Sequence, residues 1–333
     1  MKSPSSTILI TGGAGFIASH TARALAEQGS SVLLLDVRNP EGEIQWLLRP
    51  VTDRVEFVRG DVTDLPFLAR LLRRRNVSAV VHTATVNDLE ILVHQPLTAE
   101  KIMIQGHMNV LEAARLAGVG RVVFTSSIAV YAPVQYEPMD ERHPVHLPDE
   151  PPTLASYSSF KLAAESIGLF YWGYHKVDFT ALRLSAVYGL GMRYPMYVKP
   201  MVENSVMGLK TVFATGGDMR RDYTYVRDVA SAVLLALKAP AGLSTRIFNI
   251  SSGERLRKSS EAAETVRNNI PRAQIEIGPG LSELEAGDVR NRGRLSIARA
   301  GKDLGYLPRF SLEEGIADYI RQFRGYLGSR AGQ

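Results

Sequence analysis

Short apolar runs alternate with amphipathic stretches through the first half of the chain. Thr7–Ile10 is an apolar run that ends in glycines, and Ala18–Gln28 repeats its apolar residues at helical spacing and stops at Gly29. Ser31–Leu35 and Val55–Val58 are further apolar runs, closed by Asp36 and by Gly60-Asp61. Leu65–Arg75 is helical in pattern, Ala79–His82 is a strand, Pro96–Ala117 is a long helix closed by Gly118, and Arg121–Ser126 is a fifth strand. Near-continuous apolar strands separated by amphipathic helices predict a parallel sheet covered on both faces, an α/β doubly wound architecture.

After Ser127 a loop rich in Pro, Glu and His runs over 132–154, followed by a helix over 156–174 and a strand over 178–184. The alternation then loosens. Residues 1–186 with about 228–250 predict the sheet domain, because Val229–Lys238 and Arg246–Ile250 read as a return to it. Residues about 187–227 and 251–333 are punctuated by Gly and Pro and predict a smaller, mixed C-terminal substrate lobe. A chain of 333 residues can bury a sizeable core. It has no cysteine, which excludes disulfides, thiolate metal sites and a Cys nucleophile. The N-terminus enters a strand with no apolar leader, and no run is long enough to span a bilayer, so a cytoplasmic location is expected. The formal charge of +5, from 39 basic and 34 acidic residues, suits an anionic ligand. It does not imply nucleic-acid binding, and Arg73-Arg74-Arg75 reads as a solvated helix face.

The glycines after the first strand sharpen the picture. Gly13-Ala14-Gly15-Phe16-Ile17-Ala18 satisfies G-x-G-x-x-G/A between a strand and a helix, the Rossmann-type fingerprint. Small residues permit close backbone approach, and the helix start offers free N–H groups to a pyrophosphate. Gly12, Gly15, Phe16 and Ile17 are therefore candidates to hold a dinucleotide. Asp36, ending the second strand, can accept both ribose hydroxyls of NAD and would repel the 2′-phosphate of NADP, although Arg38 partly offsets it. Asp61 and Val62, after the third strand, are placed to reach the adenine.

Tyr157 and Lys161 lie at i and i+4 and share a helix face. An ammonium and a positive nicotinamide ring would lower the phenol's pKa from its usual value of about 10. Tyr157 could then exchange the proton of a substrate hydroxyl, with Lys161 holding the nicotinamide ribose and Ser127 bonding the substrate oxygen.

With these residues in place the chain resembles an extended short-chain dehydrogenase/reductase of the NAD-dependent sugar epimerase/dehydratase group, and within it a nucleotide-sugar 4-epimerase. Matching stretches include Thr11–Ala18, Asp36, Gly60–Val62, Val81–Ala84, Ser126–Tyr131, Tyr157 with Lys161, Val187–Gly189, Arg221–Tyr223, Val226–Ala230 and Phe248–Ile250. The resemblance implies NAD as cofactor, roles for Ser127, Tyr157 and Lys161 as above, and Thr83 and Ala84 as further cofactor contacts. It also implies Arg221 at a substrate phosphate, Ala186 at the sugar, and a homodimer joined through a four-helix bundle of the helices near 96–117 and 156–174. Departures narrow the activity. Dehydratases of the group carry Thr-Asp-Glu where this chain has Ser127-Ile128-Ala129, and the fucose-synthase branch needs a cysteine; both readings fall. The family's Asn and Thr on the long helix correspond to Met103 and His107, and its substrate-contacting Asn to Ala186. Its second pyrophosphate arginine is replaced by the acidic stretch Glu283–Asp288, leaving Arg290 or Arg292 to substitute.

Three functions stay open: epimerisation of a nucleotide-activated sugar without net redox, net oxidation of a free sugar, sugar acid or other secondary alcohol, and NAD binding without catalysis. No metal is expected, since His143 and His146 have no third ligand. Tyr194, Met196 and Tyr197 are candidates to line a substrate pocket, and Phe170-Tyr171-Trp172 reads as core or interface.

Overall fold

The computed structural model describes residues 7–145, 155–194 and 196–331. In chain order its elements are β1 (Thr7–Thr11), α1 (Phe16–Glu27), β2 (Ser31–Asp36), α2 (Gly42–Leu48), β3 (Val55–Arg59), α3 (Leu65–Arg74), β4 (Val77–His82), α4 (Leu89–His94), α5 (Pro96–Glu100), α6 (Gly106–Ala117), β5 (Arg121–Ser127), α7 (Ala155–His175) and β6 (Phe179–Leu184). They continue with β7 (Ala186–Tyr188), α8 (Val198–Val206), β8 (Thr211–Phe213), β9 (Arg220–Arg221), β10 (Tyr223–Tyr225), α9 (Val226–Lys238), β11 (Ile247–Ile250), β12 (Arg257–Lys258), α10 (Ser259–Asn269), β13 (Ile275–Ile277), α11 (Glu283–Arg290), α12 (Ala298–Leu304) and α13 (Leu312–Ala331).

Seven strands form one parallel sheet in the order β11-β6-β5-β4-β1-β2-β3. Successive side chains of a strand point to opposite faces, so Ile8 and Ile10 join the core with α1 and α9 while Leu9 joins the one with α3 and α6. The inner strands are buried on both faces, which is why they read as apolar runs, whereas the edge strand β3 carries the exposed Glu56 and Arg59. The strand order reverses between β1 and β4, and ligands of such sheets bind outside the carboxyl ends at that reversal. A third core, built on Tyr188, Tyr225, Met201, Ile316 and Tyr319, packs β7, β10, α8 and α13 together.

Three features differ from the sequence reading. The helices α2 and α4 fall in stretches to which the sequence pattern assigns no element. The helix predicted over 96–117 is interrupted: Lys101–Gln105 form a π-helical turn between α5 and α6. The turn ends at Gly106, where a Cβ would stand 2.7 Å from Val62 Cγ2; the bare backbone lets the β3–α3 connection press against the helix there. Finally, Phe170 is 49% exposed on α7 whereas Tyr171 is buried, so the aromatic cluster divides between core and surface. Among the described residues no helix is long and apolar enough to cross a membrane.

Candidate active site

A cleft of about 330 Å³ opens at the carboxyl ends of β1, β4, β5 and β6. Its first wall is the turn from β1 into α1. Gly12 adopts φ +68°, and a Cβ there would lie 2.8 Å from Ala84 N. A Cβ on Gly15 would lie 2.8 Å from Gly12 O, whose carbonyl accepts from Gly15 N. No side chain caps α1 and no acidic residue occupies its first turn, so the leading N–H groups are free for an anion. Asp36 accepts from Ala14 N at 3.0 Å and from Arg38 N at 3.1 Å, with its carboxylate at the cleft. Open helix donors, a side-chain-free turn and an adjacent carboxylate fit the pyrophosphate and ribose of a dinucleotide.

The structure brings Gly12, Gly15, Phe16, Ile17, Asp36, Thr83, Ser127, Tyr157, Lys161, Ala186 and Arg221 to this one cleft. Ala84 stands behind Gly12 and does not line it. Asp61 and Val62 do not line it either. The Asp61 carboxylate accepts from Thr63 N at 2.9 Å, and Val62 is buried against Gly106. Arg290 closes α11 away from the cleft, and Arg292, two residues on, lines it. Tyr194 and Met196 line it, while the Tyr197 hydroxyl donates to Glu285. His143 is committed to Gln135 N and the Pro144 carbonyl; His146 lies outside the described residues.

The second wall is α7 against β5. Ser127 ends β5, its Oγ accepting from Ala129 N at 3.1 Å and hydrogen-bonding the Tyr157 phenol. Lys161 is buried and donates to the Thr125 carbonyl at 2.8 Å. The ammonium stands 4.7 Å from the Phe124 ring centroid and 5.7 Å from that of Tyr157. Burial pushes the Tyr157 phenol up, opposed by the Ser127 hydrogen bond and the charge of Arg292. This corrects the expected lowering by Lys161: desolvation dominates, and the ammonium is turned to a backbone carbonyl. Burial also lowers Lys161 to about 7, with the Glu165 carboxylate opposing.

The third wall carries positive charge. Arg221 and Arg292 both pair with Asp288, Arg292 Nε at 2.5 Å from Oδ1. Two guanidinium groups around one carboxylate leave a net positive charge, and Arg221 Nη1 is buried without a partner. The acidic stretch before Gly287 turns away from the cleft. Glu285 caps its own helix through Ser282 N and accepts from Thr215 Oγ1 at 3.0 Å. Sequence reasoning missed Asp288 as the clamp between the two arginines, and it missed Glu165. For Glu165 a signal existed: it follows Lys161 by one further helical turn.

A model of the NAD dependent epimerase/dehydratase family matches residues 8–251. The UDP-glucose 4-epimerase of Mycolicibacterium smegmatis is 31% identical over 95% of this chain and 98% of its own length. The UDP-glucose 4-epimerase of Thermotoga maritima, solved with UDP-glucose, superposes with a TM-score of 0.83 at 27% identity, covering 96% of this chain and 99% of that one. The UDP-glucose 4-epimerase of Thermus thermophilus, solved with NAD, does so with a TM-score of 0.78 at 30% identity, covering 96% and 99%.

Proposed function

Since this chain belongs to the NAD dependent epimerase/dehydratase family, an NAD-dependent group of enzymes with the extended short-chain dehydrogenase/reductase fold, we propose that it epimerises a nucleotide-activated sugar at a carbinol carbon. The observation that carries the reading is the sharing of one cleft by the Tyr157–Ser127 pair and the Arg221–Asp288–Arg292 cluster. The pair addresses a hydroxyl, and the cluster addresses a diphosphate. The names of the relatives point to carbon 4 of a UDP-linked hexose as the reacting position.

NAD would be held by Gly12, Gly15, Phe16 and Ile17 at its pyrophosphate, by Asp36 at its adenosine ribose, and by Tyr157 and Lys161 at the nicotinamide end. When bound it supplies the acceptor, and then the donor, of hydride. Ser127 hydrogen-bonds the substrate hydroxyl and orients it toward the Tyr157 oxygen. Tyr157 takes the hydroxyl proton and later returns it. Its high proton affinity suits the return, and the Ser127 hydrogen bond and the positive charge of Arg292 lower the cost of forming the phenolate. Arg221 and Arg292 keep the diphosphate anchored while the sugar turns over, and the small side chain of Ala186 leaves room for that turn. The carboxylate of Asp288 holds both guanidinium groups in position.

The test is incubation of the purified protein with NAD and a panel of nucleotide sugars, free sugars and sugar acids, following NADH absorbance and product identity. The expected result is an isomerised nucleotide sugar without accumulated NADH. Stoichiometric NADH formation on a free sugar or sugar acid would overturn the reading in favour of a dehydrogenase.

A further inference from the structure

The helix that carries Tyr157 and Lys161 carries a third charged group on the same face. Tyr157, Lys161 and Glu165 follow one another at i, i+4 and i+8. Glu165 is buried, yet it is fully engaged: it accepts from Ser126 Oγ at 2.6 Å, from Arg183 Nε at 2.9 Å and from Arg183 Nη2 at 2.6 Å. Arg183 sits on β6 directly opposite Ser126 in the strand register. Its guanidinium is stacked 4.7 Å from the Tyr131 ring, and the Tyr131 hydroxyl is fixed by Asn249 at 2.7 Å. The assembly therefore ties α7, β5, β6 and β11 together immediately below Ser127.

A buried ion pair adds little to stability when weighed against an apolar pair of the same volume. Its position explains it better. Lys161 has no carboxylate within ion-pair distance among the described residues, and its nearest polar partner is the neutral Thr125 carbonyl. The titratable groups around it are Tyr157 and Glu165 on α7, His82 at the end of β4 and His107 on α6. Both histidines are held neutral by burial, so Glu165 is the one anion in that set.

We infer that Glu165, clamped by Arg183, is a positioning residue: it supplies the buried counter-charge of Lys161 and locks the Ser126-Ser127 strand end at its distance from Tyr157. The inference rests on the catalytic reading of Lys161 given above, but it concerns a charge and a geometry that are measurable without sugar. Removing the carboxylate leaves Lys161 with no opposing charge to its desolvation, so the amine loses its proton at lower pH.

The test compares the wild type with Glu165→Gln, Glu165→Asp and the double variant Glu165→Gln/Arg183→Gln, which leaves no orphaned guanidinium and protects the fold. In protein labelled with ¹³C at lysine Cε, the Lys161 signal is assigned by its loss in Lys161→Arg and titrated with pH. The midpoint is expected to fall by about one pH unit in Glu165→Gln, to fall less in the double variant, where loss of the Arg183 charge offsets loss of the carboxylate, and to stay near the wild-type value in Glu165→Asp. The alkaline limb of turnover should move in step, with KM little changed and kcat reduced. An unchanged Lys161 midpoint in Glu165→Gln, or a fall in the double variant as large as in Glu165→Gln, would overturn the inference. Failure of the wild type to epimerise would instead overturn the functional reading and leave the titration result standing.

Discussion

At Tyr157 desolvation and hydrogen bonding pull the proton in opposite directions, and desolvation wins. The phenol is thus a weaker acid than tyrosine in water. Tyr157→Phe removes the atom proposed to exchange the proton while preserving the ring, so turnover should fall by about 10²–10⁴-fold. NAD affinity, measured by calorimetry, should change only a few-fold; near-normal turnover would sink the assignment. Gly12 tests the opposite wall. With φ +68° and no space between its Cα and the Ala84 backbone, Gly12→Ala forces the loop open, and NAD affinity should fall by at least about 10-fold. These residues were legible because each follows from a local rule, a turn that tolerates no side chain or a spacing of one helical turn. Arg290 and Arg292 show the limit. They stand two positions apart where α11 ends, and only the path of the chain beyond the helix decides that Arg292 faces the cleft.

Among the elements, the inner strands were legible because burial on both faces leaves an uninterrupted apolar run. The break in the 96–117 helix was not, since apolar spacing does not record whether a turn closes on the fourth or the fifth residue. It is tertiary contact, Val62 pressed on Gly106, that accompanies the wider turn. The helix α7 holds a comparable contact. A Cβ on Gly168 would lie 2.2 Å from the Phe179 ring. Gly168→Ala should gain about 1 kcal/mol of helix propensity yet lose about 1–3 kcal/mol to overpacking, and denaturant titration should show net destabilisation. The outer face of α7 and its neighbours leaves Tyr174 79%, Phe170 49% and Met108 43% exposed. That apolar face suits a second copy of this chain. In analytical ultracentrifugation the wild type should sediment as a dimer and Tyr174→Asp combined with Phe170→Glu as a monomer; a monomeric wild type would refute the assignment of this face.

For the whole molecule, the buried His20, His82 and His107 weaken the fold in acid. Burial lowers His20 from 6.5 to about 4, His107 to about 3, and His82 well below its ordinary value. A folded-state pKa below the unfolded one means that the unfolded chain binds more protons between the two. Each histidine therefore removes about 1.4 kcal/mol per pH unit as pH falls from about 6.5 toward 4, while the buried Asp222, raised by desolvation to about 6, works in the opposite direction below that pH and offsets about one of the three. Urea titrations at pH 7.5, 6 and 5 should show that decline. His107→Phe, which can pack against Phe124 and Phe179 in place of the imidazole, should make it shallower; equal slopes would refute the attribution.

The bond from Ala14 N to Asp36 carries a consequence for anyone wishing to redesign this protein. The carboxylate that would discriminate between the two nicotinamide coenzymes is also a strut of the turn that grips their common part. Swapping Asp36 for a smaller or positively charged residue to admit the phosphorylated coenzyme removes the strut together with the discriminator. A coenzyme switch here is a two-site engineering problem, in which a new acceptor for the Ala14 amide has to be installed along with the new specificity.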